Sequence, residues 1–404
     1  MIELPKQVSF VLEELNKNTY EAFIVGGCVR DSLMNKTPYD FDITTDATPQ
    51  QIKQIFAKTY DTGLQHGTIT VCIDKMNFEV TTYRIDGTYT DGRHPDSVVF
   101  TKKIEEDLSR RDFTMNAIAY NPKDGFVDFF EGQEDIKRNV IRAVGVAEKR
   151  FQEDGLRMLR AIRFSAQLNF DIDNATWLAL KDNAYLIQNI SCERIYSEFT
   201  KILLSENIHR ISLLWKSGLL SLIVENSDDY MQKHGEEIIQ YLLKCEKNIS
   251  LRLALIMQHT SSKVAEKILK SLKVDNKTKK EVCTFVDNIF TEFSSDLYSV
   301  RKALSLLGVD NFKKIIYLKH CVGISVTDIS ENLELIIEQK DCINLREMKI
   351  NGDHLKKLGI KDGKKIGLIL NQLFDMVLHE PQKNNRKFLL AAAEKLNNNP
   401  KTFY

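Results

Sequence analysis

Residues 24–44 read IVGGCVRDSLMNKTPYDFDIT, and this stretch sets the architecture of the N-terminal third of the chain. Ala22 to Val25 is a short apolar run that stops at a diglycine, which predicts a strand, a turn and the start of a helix. Tyr39 to Thr44 alternates polar and apolar residues, which predicts a second strand. On that strand Asp40 and Asp42 would share one face, while Phe41 would point to the core.

The aspartate pair predicts a metal site. Two like charges side by side repel each other unless a cation lies between them, and hard carboxylate oxygens suit Mg²⁺. A bare pair of this kind is also typical of a solvated strand edge, so the upstream residues matter. Gly26 and Gly27 let the backbone approach a phosphate, and Arg30 could bind the same triphosphate. Together these features indicate a nucleoside triphosphate held by backbone amides and Mg²⁺.

Further strands and charged groups lie on the C-terminal side of this stretch. Thr68 to Ile73 and Asn77 to Tyr83 alternate β-branched and aromatic residues, which predicts two strands. Glu79 could take the proton from an attacking hydroxyl, although a surface glutamate fits the pattern equally well. Arg111, in the segment RRDFTMNAIAY (110–120), suits triphosphate or ribose binding, whereas a charged helix end is the plainer interpretation.

The chain changes character near Glu148. Before this residue, strand and helix patterns mix, and we predict an α/β head of about 145 residues. After it, apolar residues recur at spacings of three and four, which predicts helices throughout. The length of 404 residues suggests two or three domains.

Composition excludes several classes of protein. Lys and Arg total 56 and are balanced by 56 Asp and Glu, so the neutral chain is not histone-like, although a local basic groove remains compatible. Hydrophobic residues make up 43%, which excludes a fully disordered chain. No apolar stretch approaches the roughly 18 residues of a membrane span, and no secretory signal is visible. Seven cysteines without a CxxC pair indicate reduced thiols, so we expect a cytoplasmic protein with no membrane partner.

The segment EDGLRMLRAIR (153–163) places charged groups at every third position. On one continuous helix Asp154 and Arg157 would be neighbours, whereas Arg163 would lie about half a turn away from Asp154. A carboxylate and a guanidinium together can bond the Watson–Crick edge of a base. An intrahelical salt bridge on a solvated face is the alternative, which the segment alone favours.

Five segments in this order resemble the bacterial class II tRNA nucleotidyltransferases, or CCA-adding enzymes, of the superfamily that holds DNA polymerase β and bacterial poly(A) polymerase. They are GGCVRD (26–31), YDFDITTDATP (39–49), RRDFTMNAIAY (110–120), EDGLRMLRAIRF (153–164) and SCERIYSEF (191–199). The segment INGDHLKKLGIKDGKKIGLIL (350–370) is similar to the C-terminal region of the same family. The resemblance implies an α+β fold with a polymerase β-like nucleotidyltransferase head (1–147). An all-helical neck (148–205), body (206–300) and tail (301–404) would follow.

The resemblance also implies roles for individual residues. Asp40 and Asp42 would hold two Mg²⁺, and Asp154 and Arg157 would act as a protein template that reads cytosine or adenine. The residues implied to bind the nucleotide are Gly26, Gly27, Arg30, Arg111, Asp154, Arg157, Arg160 and Arg163. Of these, Arg163 is the one that the helix geometry supports least.

Two further segments receive roles from the resemblance alone. Glu193 and Arg194 match a neck motif that would brace the template helix. Asp86 to Ser97 (DGTYTDGRHPDS) occupies the position of the flexible loop that family members use when they switch from C to A addition.

The expected function is template-independent addition of CCA to the 3′ end of tRNA from CTP and ATP, with Mg²⁺ as cofactor. The tRNA 3′-hydroxyl would attack the α-phosphate in line, and pyrophosphate would leave. Lys356 to Lys387 holds eight Lys or Arg against three Asp or Glu. This imbalance favours a tail that contacts RNA phosphates, with a charge-rich exposed helix as the alternative. The sequence is compatible with a monomer or a homodimer.

Several related activities stay open. An enzyme that adds only A, or only CC, would carry most of the same motifs, and the intact Asp86 to Ser97 loop argues only against CC addition. A poly(A) polymerase is a weaker alternative, because such enzymes usually extend beyond this length with basic tails. A catalytically inactive RNA-binding protein is the alternative of a different class, and the presence of both metal carboxylates and the template pair opposes it.

Overall fold

The structure, a computed structural model, describes residues 2–87, 97–225 and 227–398. Compactness divides the chain into two units. The first unit holds the residues up to Leu243 together with Ile268–Val274, and the second holds Lys244–Lys267 and the residues from Asp275 onward. A mixed sheet comes first and helices follow it, which confirms the expected α+β fold. The finer division into head, neck, body and tail stays a prediction.

A seven-stranded sheet forms the N-terminal part of the first unit, in the order β3-β4-β5-β2-β1-β8-β9. Its strands are β1 (Ala22–Val25), β2 (Asp42–Thr45), β3 (Thr59–Gly63), β4 (Thr68–Ile73), β5 (Met76–Thr82), β8 (Ala119–Asn121) and β9 (Gly125–Val127). Strands β2 and β5 are parallel, and the other neighbours in this sheet are antiparallel. Two smaller sheets pair β6 (Arg84–Asp86) with β7 (Val98–Phe100), and β10 (Val140–Ile141) with β11 (Asp171–Ile172).

The register of the central strands brings separate parts of the sequence together. Val25, the last residue of β1, pairs with Asp42, the first residue of β2, so the diglycine turn begins beside this aspartate. On the other side of β2, Ile43 pairs with Val80. Glu79 and Asp42 each precede one member of this pair on parallel strands, and they are therefore neighbours across the sheet.

The predicted strand over Tyr39 to Thr44 starts three residues too early, because β2 begins only at Asp42. Asp40 lies in the turn before the strand, so strand alternation does not place it on the face of Asp42. Phe41 is half-buried instead of lying in the core. By contrast, the predicted strands over 22–25 and 68–73 coincide with β1 and β4.

Short helices pack around the sheet: α1 (Lys6–Lys17), α2 (Gly27–Leu33), α3 (Pro49–Ile55), α4 (Ile104–Ser109) and α5 (Gly132–Arg138). Helix α3 starts where its sequence predicts, because the Thr48 side chain accepts a hydrogen bond from the Gln51 amide and the Gln51 side chain accepts one from the Thr48 amide. The core on one side of the sheet contains Phe23, Val25, Tyr83, Leu108, Ala117, Ala119 and Val144.

Helices make up the rest of the first unit. They are α6 (Ala147–Glu153), α7 (Leu156–Leu168), α8 (Asn174–Asp182), α9 (Cys192–Leu203), α10 (Ser212–Lys216), α11 (Leu219–Ile223) and α12 (Asp228–Lys244). The segment 153–163 is therefore not one continuous helix, because Asp154 and Gly155 separate α6 from α7. A Cβ at Gly155 would lie 3.0 Å from the carbonyl oxygen of Leu186, so this break is packed closely against a neighbouring turn.

The second unit is helical in its described part. The remaining helices of the chain are α13 (Ile249–Met257), α14 (Ser262–Ser271), α15 (Asn276–Asn288), α16 (Leu297–Leu307), α17 (Val309–Cys321), α18 (Thr327–Glu338), α19 (Gly352–Lys357), α20 (Gly363–His379) and α21 (Arg386–Asn398). Of these, α14 begins in the second unit and ends in the first, which includes Ile268–Val274. One apolar core joins α16, α17 and α18, and another joins α19, α20 and α21. Within the described ranges, none of these helices is both long and apolar enough to cross a lipid bilayer.

Candidate active site

A cavity of about 440 Å³ opens in the first unit where the sheet meets α7 and α9. Seven arginines and three aspartates lie in its wall, and this excess of positive charge suits an anionic ligand. Nine of the predicted site residues line it: Gly26, Gly27, Arg30, Asp42, Arg111, Asp154, Arg157, Arg160 and Arg163. Asp40 and Glu79 are exposed to solvent and do not belong to this lining.

The diglycine turn forms one wall of the cavity. Gly26 has φ +81° and ψ −129°, a conformation that residues with a Cβ rarely adopt. A Cβ at this position would also lie 3.3 Å from Nη1 of Arg111. Glycine is therefore required here both by the backbone and by the guanidinium that closes over it.

Asp42 carries the clearest electrostatic sign of a cation site. Partial desolvation and the negative charges of Asp40 and Glu79 raise the pKa of Asp42 to about 6, against the opposing charge of Arg111. Asp42 is exposed to solvent and forms part of the cavity lining. A divalent cation between Asp40 and Asp42 would relieve this repulsion, and two carboxylates are ligands that Mg²⁺ accepts. Within residues 2–87, 97–225 and 227–398 the side chains do not gather three or more His, Cys, Asp or Glu residues around a possible metal position.

A buried hydrogen-bonded chain links the diglycine helix to α7. Nη1 of Arg30 donates to Oδ1 of Asn116 over 2.8 Å, and Nδ2 of Asn116 donates to Oδ1 of Asp112 over 3.0 Å. Oδ2 of Asp112 accepts from Nε and Nη2 of Arg160 at 2.8 and 2.5 Å. Burial alone would raise the pKa of Asp112, but Arg160 and Asn116 hold it well below its usual range. The carboxylate therefore stays charged and fixes the direction of Arg160.

Asp107 holds two arginines of the cavity, Arg110 and Arg111, in place. It is fully buried, and it accepts hydrogen bonds from Nη2 of Arg110 at 2.7 Å and from Nη2 of Arg111 at 3.2 Å. Burial would raise the pKa of Asp107, but the charges of Arg110 and Arg111 outweigh it and lower the pKa. Both arginines line the cavity, so Asp107 fixes part of its positively charged wall.

The two residues of the predicted base-reading pair each have another partner, which corrects the expected geometry. The Asp154 carboxylate accepts from Nη2 of Arg194 at 2.7 Å and not from the Arg157 guanidinium, although the Arg157 amide donates to the Asp154 carbonyl at 3.0 Å. Nη1 of Arg157 donates to Oε2 of Glu153 at 2.5 Å and to the Arg150 carbonyl at 3.0 Å. The reason is the helix break, since Asp154 lies before α7 and its carboxylate accepts from the Leu156 amide.

The same break corrects the expected position of Arg163. Half a turn of separation from Asp154 holds only on an uninterrupted helix, and both residues line the one cavity. Nε of Arg163 lies 2.6 Å from Oε2 of Glu198, on α9. Arg194 is on the same helix, so α9 supplies partners to both sides of the break.

Sequence reasoning did not assign roles to several residues of this site. Asp107 precedes Arg110 and Arg111 by three and four positions, a helical spacing that could have indicated it. Asp112, Asn116 and Phe164 lie inside quoted segments, but nothing local shows that they face the cavity. In the loop Asp86 to Ser97, residues 88–96 lie outside the described residues, and the Gly87 amide donates to the Ser97 carbonyl at 2.9 Å.

Family models match three consecutive parts of the chain. Residues 22–142 match the poly A polymerase head domain, and residues 169–231 match a probable RNA and SrmB-binding site of polymerase A. Residues 243–393 match the putative domain 2 of tRNA nucleotidyltransferase. The cavity lies in the part of the chain that the first two models bracket.

Whole-chain comparisons agree with these models. The CCA-adding enzyme of Lactobacillus johnsonii is 35% identical over 387 residues, which cover 93% of each chain. That of Pediococcus pentosaceus is 36% identical over 399 residues, which cover 96% of each chain. Among solved structures, the CCA-adding enzyme of Bacillus stearothermophilus in complex with CTP matches with a TM-score of 0.81, 28% identity and 98% coverage of both chains.

Proposed function

The chain belongs to the family of CCA-adding enzymes, and we propose that it completes the 3′ end of tRNA by adding C, C and A in turn from CTP and ATP. It is a nucleotidyltransferase, and pyrophosphate is the leaving group of each addition. Its substrates are the two nucleotides and the tRNA acceptor end. The observation that carries the proposal is the single cavity in which Asp42, the diglycine turn and seven arginines meet.

The triphosphate would bind to the arginine-rich wall. Arg30 and Arg111 stand beside the diglycine turn, and the buried Asn116 and Asp107 fix their directions. Bidentate guanidinium groups suit phosphate oxygens. Arg160, which Asp112 orients, would stabilise the same negative charge from α7.

Family members are generally dependent on a divalent metal, and we propose Mg²⁺ held by Asp40 and Asp42. When bound there, Mg²⁺ would supply a Lewis acid for the α-phosphate and a lower pKa for the attacking hydroxyl. The carboxylates themselves orient the reacting groups and define where the tRNA end must reach. Glu79 neighbours Asp42 across the sheet, and in this proposal it would accept the hydroxyl proton.

Base recognition is assigned to Asp154 and Arg157. Their partners do not use up their hydrogen-bonding capacity: Oδ1 of Asp154 accepts from Leu156 and Arg194, but Oδ2 accepts from Arg194 alone and has a second lone pair. Arg157 donates both Nη1 hydrogens and one Nη2 hydrogen, so the Nε hydrogen and the second Nη2 hydrogen remain. Arg194 and Glu153 hold these two groups in fixed directions. Two rigid groups, one acceptor and one donor, can select cytosine and adenine without a nucleic-acid template.

The proposal is tested by incubating purified enzyme and Mg²⁺ with tRNAs that end at the discriminator base, at C and at CC. Full CCA addition requires that CTP labels the first two and that ATP labels the third. Labelling of the CC-ended tRNA alone would assign the enzyme to A addition, and absence of any incorporation would overturn the proposal.

The metal assignment has its own test. Asp42→Ala should reduce incorporation by several orders of magnitude, because the reaction loses a ligand of the proposed cation. tRNA binding, measured by filter retention, should stay within about twofold, since Asp42 contacts the reacting end only. Glu79→Gln in parallel separates proton transfer from metal binding, because it removes the proposed proton acceptor and leaves both proposed metal ligands in place. A cytoplasmic location is also proposed, in keeping with seven cysteines that form no disulfide.

A further inference from the structure

We propose that the ring of Phe164 helps to position the triphosphate, because the ring holds Arg30, Arg160 and Arg163 together in one wall of the cavity. The inference rests on the proposed function and adds a residue to which the motifs assign no role. The guanidinium carbons of these arginines lie 5.1, 5.4 and 4.0 Å from the ring centroid, within the range of a cation–π interaction.

The ring connects two distant parts of the chain. Arg30 comes from α2, directly after the diglycine turn, whereas Arg160, Arg163 and Phe164 belong to α7. Phe164 is 5% exposed, lines the cavity and meets Phe113 edge-on, with centroids 5.8 Å apart. The edge contact fixes the ring plane, so its faces are available to the cations.

Three guanidiniums around one point repel each other, and each of them pairs with a different carboxylate. Arg30 pairs with Asp31 at 2.7 Å, Arg160 with Asp112 at 2.5 Å and Arg163 with Glu198 at 2.6 Å. Asn116 and Asp112 link Arg30 to Arg160, but Arg163 pairs with Glu198 instead, and the ring of Phe164 is a group that all three guanidiniums share.

The lowered pKa of Arg163 shows that bringing these positive charges together costs free energy. Burial and the neighbouring charge of Arg160 lower the pKa of Arg163 to about 10. The negative face of an aromatic ring offsets part of this cost without accepting a hydrogen bond. The remaining N–H groups of the guanidiniums consequently stay available to phosphate oxygens.

An aliphatic side chain of similar size would fill the space but would offer no such attraction. The arginines would then separate toward Asp31, Asp112 and Glu198, and the phosphate site would widen. If Phe164 served only as core packing, its electron density would not matter. Shape and electron density can be changed independently, which makes the two roles distinguishable.

The test places 4-fluoro-, 3,5-difluoro- and 3,4,5-trifluorophenylalanine at position 164 of the full chain. Fluorination keeps the ring shape and weakens its negative face stepwise. We expect the Kd of CTP, and that of inorganic tripolyphosphate, to rise at each step and to reach about tenfold with three fluorines. The melting temperature without ligand should stay within about 1 °C of the unsubstituted protein.

Phe170 provides the matched control. It is also buried, at 1% exposed, and the described residues place no guanidinium or ammonium over its ring. The same series at Phe170 should leave both Kd values unchanged. A flat series at position 164, or an equal response at both positions, would overturn the inference.

Ordinary substitutions give an independent measurement. Phe164→Leu should raise the KM of CTP and ATP by about tenfold with a smaller change in kcat, and Phe164→Tyr should restore it. A variant that lowers kcat alone, or a tyrosine that fails to restore KM, would contradict the positioning role. Failure of this inference is distinct from failure of the proposed function, because the latter requires that the unsubstituted enzyme add no nucleotide at all.

Discussion

At the scale of single residues, the candidate site depends on two buried carboxylates that hold its arginines in place. Asp107 and Asp112 each hold two basic or amide groups in place, and both keep a lowered pKa despite burial. A guanidinium whose direction is fixed loses little entropy when phosphate binds. Rigidity of the arginines is therefore built by residues behind them.

Asp112→Asn should destabilise the first unit by about 2 kcal/mol, because Arg160 keeps its charge and loses its partner. The loss of unfolding free energy is modest because the Arg160 side chain is 34% exposed and water replaces part of the interaction. Urea unfolding monitored by circular dichroism measures the change. Asp171→Asn breaks the pair of Asp171 with Arg210, where the aspartate is 78% exposed, and should cost less than about 1 kcal/mol.

Acid should remove the stabilisation that the ionised Asp112 carboxylate gives to the folded state. The folded pKa of Asp112 lies below its unfolded value, so its stabilisation is present above about pH 4 and is lost as the pH falls further. The unfolding free energy of the parent protein should therefore drop more steeply below pH 4 than that of Asp112→Asn. Parallel curves for the two proteins would refute this assignment.

At the scale of secondary-structure elements, the diglycine turn and the break between α6 and α7 shape the cavity. Gly26→Ala should lower the melting temperature and weaken CTP binding, because the backbone conformation costs roughly 2 kcal/mol for a residue with a Cβ. Gly367→Ala is the control, since nothing lies within 4 Å of its added Cβ inside α20. That change should be neutral or stabilising.

Arg194→Met should weaken the preference of the enzyme for CTP and ATP over UTP and GTP, because Asp154 loses the guanidinium that orients it. Asp154→Ala should weaken the same preference directly. Affinity for tripolyphosphate should change little. Competition assays with mixed nucleotides measure the selection. Lys273→Met, which breaks an exposed pair with the adjacent Glu193, should leave selection unaltered; a comparable loss there would point to a general disturbance of α9.

Local sequence patterns predicted these elements only where the interactions that form an element lie within one segment of the chain. Strands β1 and β4 were predictable to the residue because alternation and flanking turns are local. The break at Gly155 was not, because its reason is a close contact with Leu186. Likewise Asp112 meets Arg160 across 48 positions and Asp154 meets Arg194 across 40, so the residue types were visible in the sequence but their partners were not.

At the scale of the whole molecule, a chain without net charge must concentrate its positive charge locally to hold RNA. In the second unit, Lys357, Lys361 and Lys364 are exposed around α19 and the start of α20. Replacing all three with glutamine should weaken tRNA binding, and should reduce the slope of log K against log salt by about one for each lost phosphate contact.

The control for this prediction replaces Lys17, Lys137 and Arg138, which are 64–74% exposed on α1 and α5, with glutamine. The net charge changes equally, so a purely global effect would appear in both triple variants. Binding isotherms at four salt concentrations separate the cases. An unchanged slope in the α19–α20 variant would remove this surface from the tRNA interface.

The arginines of the cavity wall come from two stretches of chain: Arg30, Arg110 and Arg111 lie near the sheet, and Arg157, Arg160, Arg163 and Arg194 lie on α7 and α9. A polyanion in the cavity must therefore crosslink these stretches. Saturation at a hundred times Kd would add about 2.7 kcal/mol to the resistance of the first unit against unfolding. Preparations stored with CTP should accordingly survive heating by several degrees more than preparations stripped of nucleotide, and limited proteolysis between α6 and α9 should slow in step.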